Sequence, residues 1–343
     1  MLFSLYSTDS KEVWDRVVDL ATQNGEKEMF CSLHIPEADN LQNFLEFLKQ
    51  LHINKGFNFT ADISPLTLKK LSLTIENLNE IRKYGINCLR IDFGFSAAEI
   101  IRIGKAGFKI AVNASVVNES FINELKGLSF FGWHNYYPRP ETGIDVSYFK
   151  SQNELFKKYN LPVYTFIPGD SFYRAPLHMG LPVIESQRFQ NTYVNFIEMK
   201  KLAPGMPVCV AEGLIYKRHL RWINEYEASG IITIPLSNFD ELSKSLDGKC
   251  FYVRKEEANI SWRLEDTRKL LEKPQEILNA SLRKRGSLQM DTSGYGRYEG
   301  EIHIMTKDSP LHPYVIRISE IPSPYINLVD FLDAHPKIRF EII

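Results

Sequence analysis

Cysteine is scarce in this chain and has nothing to bond with. Cys31, Cys88, Cys209 and Cys250 are scattered over 343 residues, with no CxxC pair and no histidine at metal-ligand spacing. That excludes a small disulfide-stapled scaffold and leaves no zinc signature. Three of the four fall in apolar strand-like runs, where reduced thiols pack as small hydrophobes. Neither sign of charge dominates: 41 Lys and Arg face 42 Asp and Glu, a formal net charge of -1, so no nucleic acid or other polyanion is expected as the main partner. Long apolar runs are also missing, and none approaches the ~20 residues of a membrane span. The first residues, Met1 to Tyr6, make too short an apolar stretch for a signal peptide, lack a basic flank and run at once into Asp9 and Lys11. A cytoplasmic, soluble protein with no membrane partner is the expectation.

Apolar strand-like segments alternating with longer amphipathic stretches dominate the first two thirds of the chain. The strands are read at 2–6, 29–35, 57–63, 88–93, 109–113, 130–134, 163–167 and 208–211. Between them lie helix-period patterns, such as Val13, Trp14, Val17 and Val18, or Phe44, Leu45, Leu48 and Leu51. Eight strand-helix units predict an α/β fold, a (β/α)₈ TIM barrel. The competing open doubly wound sheet normally carries a glycine-rich phosphate turn after its first strand; here that turn is Ser7, Thr8, Asp9 and Ser10. Beyond Ile234 the helix period fades, apart from short helices at 240–247 and 327–334. Strands are read at 250–253, 286–290, 301–305, 315–318 and 337–342. The expected division is a barrel over 1–237 and a small, mostly β domain over 238–343.

A barrel places its chemistry at the C-terminal ends of its strands. Strand three ends at Asp62, strand four at Asp92 and strand five at Asn113. Strand six ends at His134 and Asn135, which open a run of Tyr136, Tyr137, Pro138, Arg139, Pro140, Glu141, Thr142 and Gly143. After strand seven a loop over 171–187 carries Arg174, His178 and Glu185, with Arg188 just beyond it, and strand eight ends near Glu212. A carboxylate that interrupts an apolar strand has to be paired or to face a cavity, which singles out Asp62 and Asp92. Each could equally cap a turn or pair with Arg90, and Glu185 could be an acidic residue at a helix N-terminus. Carboxylates, amides and aromatics round one mouth are the equipment of glycoside hydrolysis. Arg139, Arg174 and Arg188 add forks that match phosphate or carboxylate oxygens. The candidates are thus Asp92 and Glu185 as acid/base and nucleophile, with Asp62 in reserve. Asn113, His134, Asn135, Tyr136, Arg139, Arg174, His178, Arg188 and Glu212 are the candidate substrate-binding residues.

The run from His134 to Gly143, the turn Pro168, Gly169 and Asp170, the stretch from Arg174 to Leu177, Gly180, Leu181 and Pro182 with Glu185, and the late segment from Gly294 to Glu301 together resemble the bacterial 6-phospho-N-acetylmuramidase family over nearly the whole chain. The resemblance implies a TIM barrel followed by a small cyclophilin-like domain. It implies cytoplasmic hydrolysis of 6-phospho-N-acetylmuramyl-N-acetylglucosamine, a phosphorylated disaccharide from peptidoglycan recycling, with no metal or cofactor. Gln187, where relatives often carry His, and Glu212 with Gly213, where they often end in Gly-Asp, depart from the pattern close to the expected pocket. In the second domain, Arg297 and the segment from Arg263 to Arg268 could bind the substrate phosphate or form a surface ion-pair network. Two other classes stay open: an epimerase or aldolase on phosphorylated sugars, which would want a metal cluster or a strand-end lysine, and a non-catalytic sugar-phosphate sensor.

Overall fold

A computed structural model of the chain describes residues 1–34, 41–239, 241–256, 258–270, 283–333 and 335–343. Eight parallel strands close into a barrel in sequence order: β1 (Leu2–Tyr6), β2 (Glu28–Ser32), β3 (Asn58–Ile63), β4 (Ile86–Ile91), β5 (Lys109–Asn113), β6 (Phe130–Trp133), β7 (Val163–Ile167) and β8 (Val208–Val210). The ring closes where Leu2 and Phe3 pair with Cys209 and Val210. Helices α1 (Lys11–Gln23), α2 (Leu41–Lys55), α3 (Pro65–Lys70), α4 (Ala97–Lys105), α5 (Glu119–Glu124), α6 (Val146–Lys158) and α7 (Thr192–Leu202) alternate with the strands. Their starts are written locally. Ser10 accepts the amide of Val13, Ser96 and Glu99 close a capping box, and Asp145 accepts the amides of Ser147 and Tyr148.

Register and alternation decide what reaches the mouth. Tyr6 stands opposite Ser32, Ser32 opposite Asp62, and Asp62 opposite Arg90, so four successive strands present these side chains side by side. Beneath them an aromatic layer fills the barrel: Phe30, Trp133 and Phe166 lie 5.0–5.3 Å apart by ring centroid. Cys31, Cys88 and Cys209 are buried free thiols, while Cys250 is exposed.

The chain divides into two compact units, Met1–Tyr216 and Lys217–Ile343, a division upstream of the expected 237/238. The barrel is already closed by β8, and β9 (Ile232–Leu236) pairs with the last strand of the chain instead of joining the ring. The second unit opens with α8 (Lys217–Ser229) and also contains α9 (Glu241–Lys244) and β10 (Cys250–Tyr252). Then come β11 (Ser261–Arg263), β12 (Ser287–Asp291), β13 (Ile302–Met305), β14 (Val315–Glu320) and β15 (Lys337–Ile342). One sheet has the order β10-β15-β9 and the other, antiparallel, β11-β13-β12-β14. The helix expected over 327–334 is a 3-10 segment, Ser323–Phe331; its last expected residue, like Asp240 of the other short helix, lies outside the described residues. No described helix is long and apolar enough to cross a membrane.

Candidate active site

At the centre of the barrel mouth is Arg90, whose side chain is 0% exposed. A guanidinium cannot shed its charge at that depth, so acceptors must surround it. Its Nη1 donates to Asp62 at 2.7 Å and to Asp92 at 3.5 Å, and its Nη2 to Asn135 Oδ1 at 3.1 Å. Carbonyl oxygens of Trp133 and His134 take its remaining donors. Asp92 also accepts from Asn113 Nδ2 at 2.7 Å, and Asn113 Oδ1 in turn accepts the Ser115 amide. Burial raises Asp62 to about 6; the charge of Asp92 adds to the shift and Arg90 opposes it.

A cavity of about 390 Å³ opens over this cluster, lined by Ser32, His34, Asp62, Asp92, Asn135, Tyr136, Pro138, Arg139, Arg174, Pro176 and Leu177. A second recess of about 260 Å³, also bordered by Asp92, is lined by Phe93, Phe95, Val116, Val117 and Phe121. Arg139 is exposed and its guanidinium has no hydrogen-bond partner among the described residues. Arg174 lies over the rings of Tyr6 and Tyr136, at 4.9 and 5.6 Å from their centroids.

Other expected site residues stand elsewhere. Glu185 does not line the cavity that holds Asp92. Its carboxylate accepts the amides of Glu141 and Gly143 at 2.8 and 2.7 Å and two 2.6 Å bonds from Arg188. Those Arg188 bonds, aided by the two amides and opposed by partial burial, draw it down to about 2. Such a group is a clamp on the loop after β6, and its pairing with Asp92 is corrected accordingly. Arg188 is 2% exposed and spends its other donors on the carbonyls of Tyr137, Pro138, Arg139, Met179 and Gly180, so it fastens loops and offers no fork to a ligand.

His134 follows the inward-facing Trp133 and therefore points the other way. Its ring meets Ser115 Oγ at 3.0 Å, Asn153 Oδ1 at 2.9 Å and the face of Phe149, and burial lowers it to about 4. His178 is exposed, with Nδ1 on the Tyr173 carbonyl. Glu212 is 1% exposed behind Arg174, whose backbone N–H it accepts at 3.0 Å. Its Oε1 has no hydrogen-bond partner among the described residues, and burial pushes the carboxyl up to about 7. Gln187 bonds Glu198. Arg297 belongs to the second unit, where it stacks on Tyr298. Sequence reasoning passed over Arg90 as a mere partner and missed Ser32 and His34. His34 bonds Ser64 Oγ at 2.6 Å and packs edge-on to Phe93. The signal for all three was their place at or next to a strand's C-terminal end.

A family model described as 6-phospho-N-acetylmuramidase, N-terminal, matches residues 3–225, and its C-terminal counterpart matches residues 232–341. The chain belongs to the 6-phospho-N-acetylmuramidase family. That name is a glycosidase's, which places the chain among the glycoside hydrolases. A conserved protein of unknown function from Enterococcus faecalis is similar in structure, with a TM-score of 0.84 and 25% identity over 100% of this chain and 96% of its own. An uncharacterised B. cereus protein shares the fold, with a TM-score of 0.76 and 19% identity over 100% of this chain and 98% of its own. No curated protein matches the chain.

Proposed function

We propose that the protein hydrolyses the glycosidic bond of 6-phospho-N-acetylmuramyl-N-acetylglucosamine, in the cytoplasm, during recycling of cell-wall fragments. One observation carries the reading: Asp62 and Asp92 touch the same nitrogen of Arg90 at the floor of a cavity whose wall holds Arg139 and Arg174. Asp62, raised to about 6 chiefly by burial, is the general acid that gives its proton to the leaving oxygen. Asp92, fixed by Asn113, faces the anomeric carbon. Carboxylate oxygens 2.7 and 3.5 Å from one guanidinium nitrogen lie at most about 6.2 Å from one another, short of the ~6.5–9.5 Å that admits a water in inverting enzymes. Retention of configuration is the stereochemical expectation.

The two arginines fit the anionic groups of this substrate, its phosphate and its lactyl carboxylate. The recess beside Asp92 offers apolar walls to an acetamido or lactyl methyl. The test is hydrolysis by the purified protein of this disaccharide, its unphosphorylated form and 6-phosphoglucosides, with the anomers followed by NMR. Cleavage of the phosphorylated muramyl sugar alone, with the configuration retained, is expected. In Asp62→Asn and Asp92→Asn the rate should fall by roughly 10²–10⁴ while the substrate still binds. Binding without turnover in the unmodified protein would instead make it a sensor.

A further inference from the structure

The second unit buries one carboxylate among an excess of guanidinium groups. Glu301 is 1% exposed; it accepts from Arg263 Nε at 2.5 Å and from Arg268 Nη2 at 2.7 Å, and Arg254 Nη2 stands 3.7 Å away. Satisfying a buried carboxylate takes one well-placed arginine fork, yet three converge on this one and remain 24%, 27% and 40% exposed for Arg254, Arg263 and Arg268. A fourth joins them through Tyr298, whose ring lies under both Arg268, at 5.3 Å, and Arg297, at 4.9 Å. Glu265 and Asp266, exposed in the neighbouring turn, form no ion pair with these arginines among the described residues. Among the described residues, Glu301 is the one carboxylate seen to pair with any of these four arginines.

The array is also held rigidly. Arg263 stands on β11 opposite His303 of β13. Thr267 Oγ1 accepts the amide of Ile302 at 3.0 Å, which pins the residue before Arg268 to the same strand. Gly300, at φ +84°, passes so close to Arg268 that a Cβ there would meet its carbonyl oxygen at 2.8 Å. Like charges held together on a fixed frame repel one another in the absence of an anion and attract one strongly. We propose that Arg254, Arg263, Arg268 and Arg297 form an anion site on the second unit, with Glu301 as its internal spacer, that takes a phosphate group. The site stands independently of the glycosidase reading.

The experiment uses the full chain and follows the arginine Nε–Hε NMR signals during titration with inorganic phosphate, glucose 6-phosphate and glucose. Saturable shifts of Arg263 and Arg268 with both anions, with midpoints near ~1 mM, and none with glucose are expected. They should weaken as salt is raised. A glucose 6-phosphate midpoint about tenfold below that of phosphate would make the ligand a sugar phosphate, and equal midpoints phosphate itself. Arg268→Gln and the exposed-site variant Arg297→Gln should each weaken binding, while Arg174→Ala, in the barrel, should leave these shifts in place. Signals that stay fixed in the unmodified protein, or shifts unchanged in both second-unit variants, would overturn the proposal.

Discussion

Glu212 keeps an ionisable group where solvent does not reach, and the consequence is a pH dependence of known sign. Its carboxyl sits at about 7, against an ordinary 4.5, because burial outweighs the help of the Arg174 and Leu181 amides and of the Arg174 charge. Between those two values the folded chain holds a proton that the unfolded chain has released. Stability from this residue is therefore complete below about 4.5 and is lost as pH rises through about 7, by up to ~3 kcal/mol. A glutamine accepts the same Arg174 amide and never ionises. Glu212→Gln should thus be more stable than the unmodified protein at pH 8 by an amount of that order, with the gap closing towards pH 4.5 in urea unfolding. A variant that is less stable at pH 8 would show that its neighbours favour the charged form. Arg90 follows the opposite rule: always ionised, it is tolerated only because Asp62, Asp92 and Asn135 surround it.

The loop from Asn135 to Gly143 is ordered by another segment of chain. Tyr137 donates its amide to the Pro182 carbonyl, Ile144 to that of Val183, and Glu185 to that of Ile144, while the Glu185 carboxylate takes the amides of Glu141 and Gly143. Hydrogen bonds to a charged acceptor contribute ~1.5–3 kcal/mol each, so Glu185→Gln should speed hydrogen exchange at Glu141 and Gly143 by roughly ten- to a hundredfold. Unchanged exchange at both amides would deny Glu185 its role as a clamp. The strands themselves were legible, because apolar runs of five or six residues between polar, helix-period stretches leave few alternatives. The place of Asp62 and Asp92 at the barrel mouth was legible for a related reason: a charge in such a run needs an explanation. Glu185 was not, since sequence does not tell whether a loop carboxylate meets a ligand or backbone amides. His134 carried a signal that went unused: once Trp133 is placed inward with the aromatic layer, alternation sends the next residue out. Arg188 resembled a phosphate fork by residue type, and only the carbonyls round it show that it is fully occupied.

At the scale of the chain, the second unit depends on its last residues. β15 is the middle strand of the sheet β10-β15-β9, antiparallel to Cys250–Tyr252 on one side and parallel to Ile232–Leu236 on the other. β9 thus pairs in parallel with a strand about a hundred residues later, and nothing local in the sequence reveals that its partner is the C-terminal segment. Ile338 and Phe340 are both 0% exposed, and Phe340 packs on Phe251. Outside the sheet, Glu341 accepts from Arg221 and Trp222 of α8, so one strand ties together the start and the middle of the unit. Ending the chain before Lys337 would remove the central strand, expose the paired edges of β9 and β10, and open a cavity where two large apolar side chains stood, at a cost of about 2–5 kcal/mol for each. The second unit of the shortened chain should therefore be cut readily by protease. The barrel, whose ring closes through β1 and β8 without any of these residues, should survive as a resistant fragment ending near Tyr216. Equal resistance of both units in the shortened chain would mean that the four-stranded sheet β11-β13-β12-β14 holds the second unit by itself.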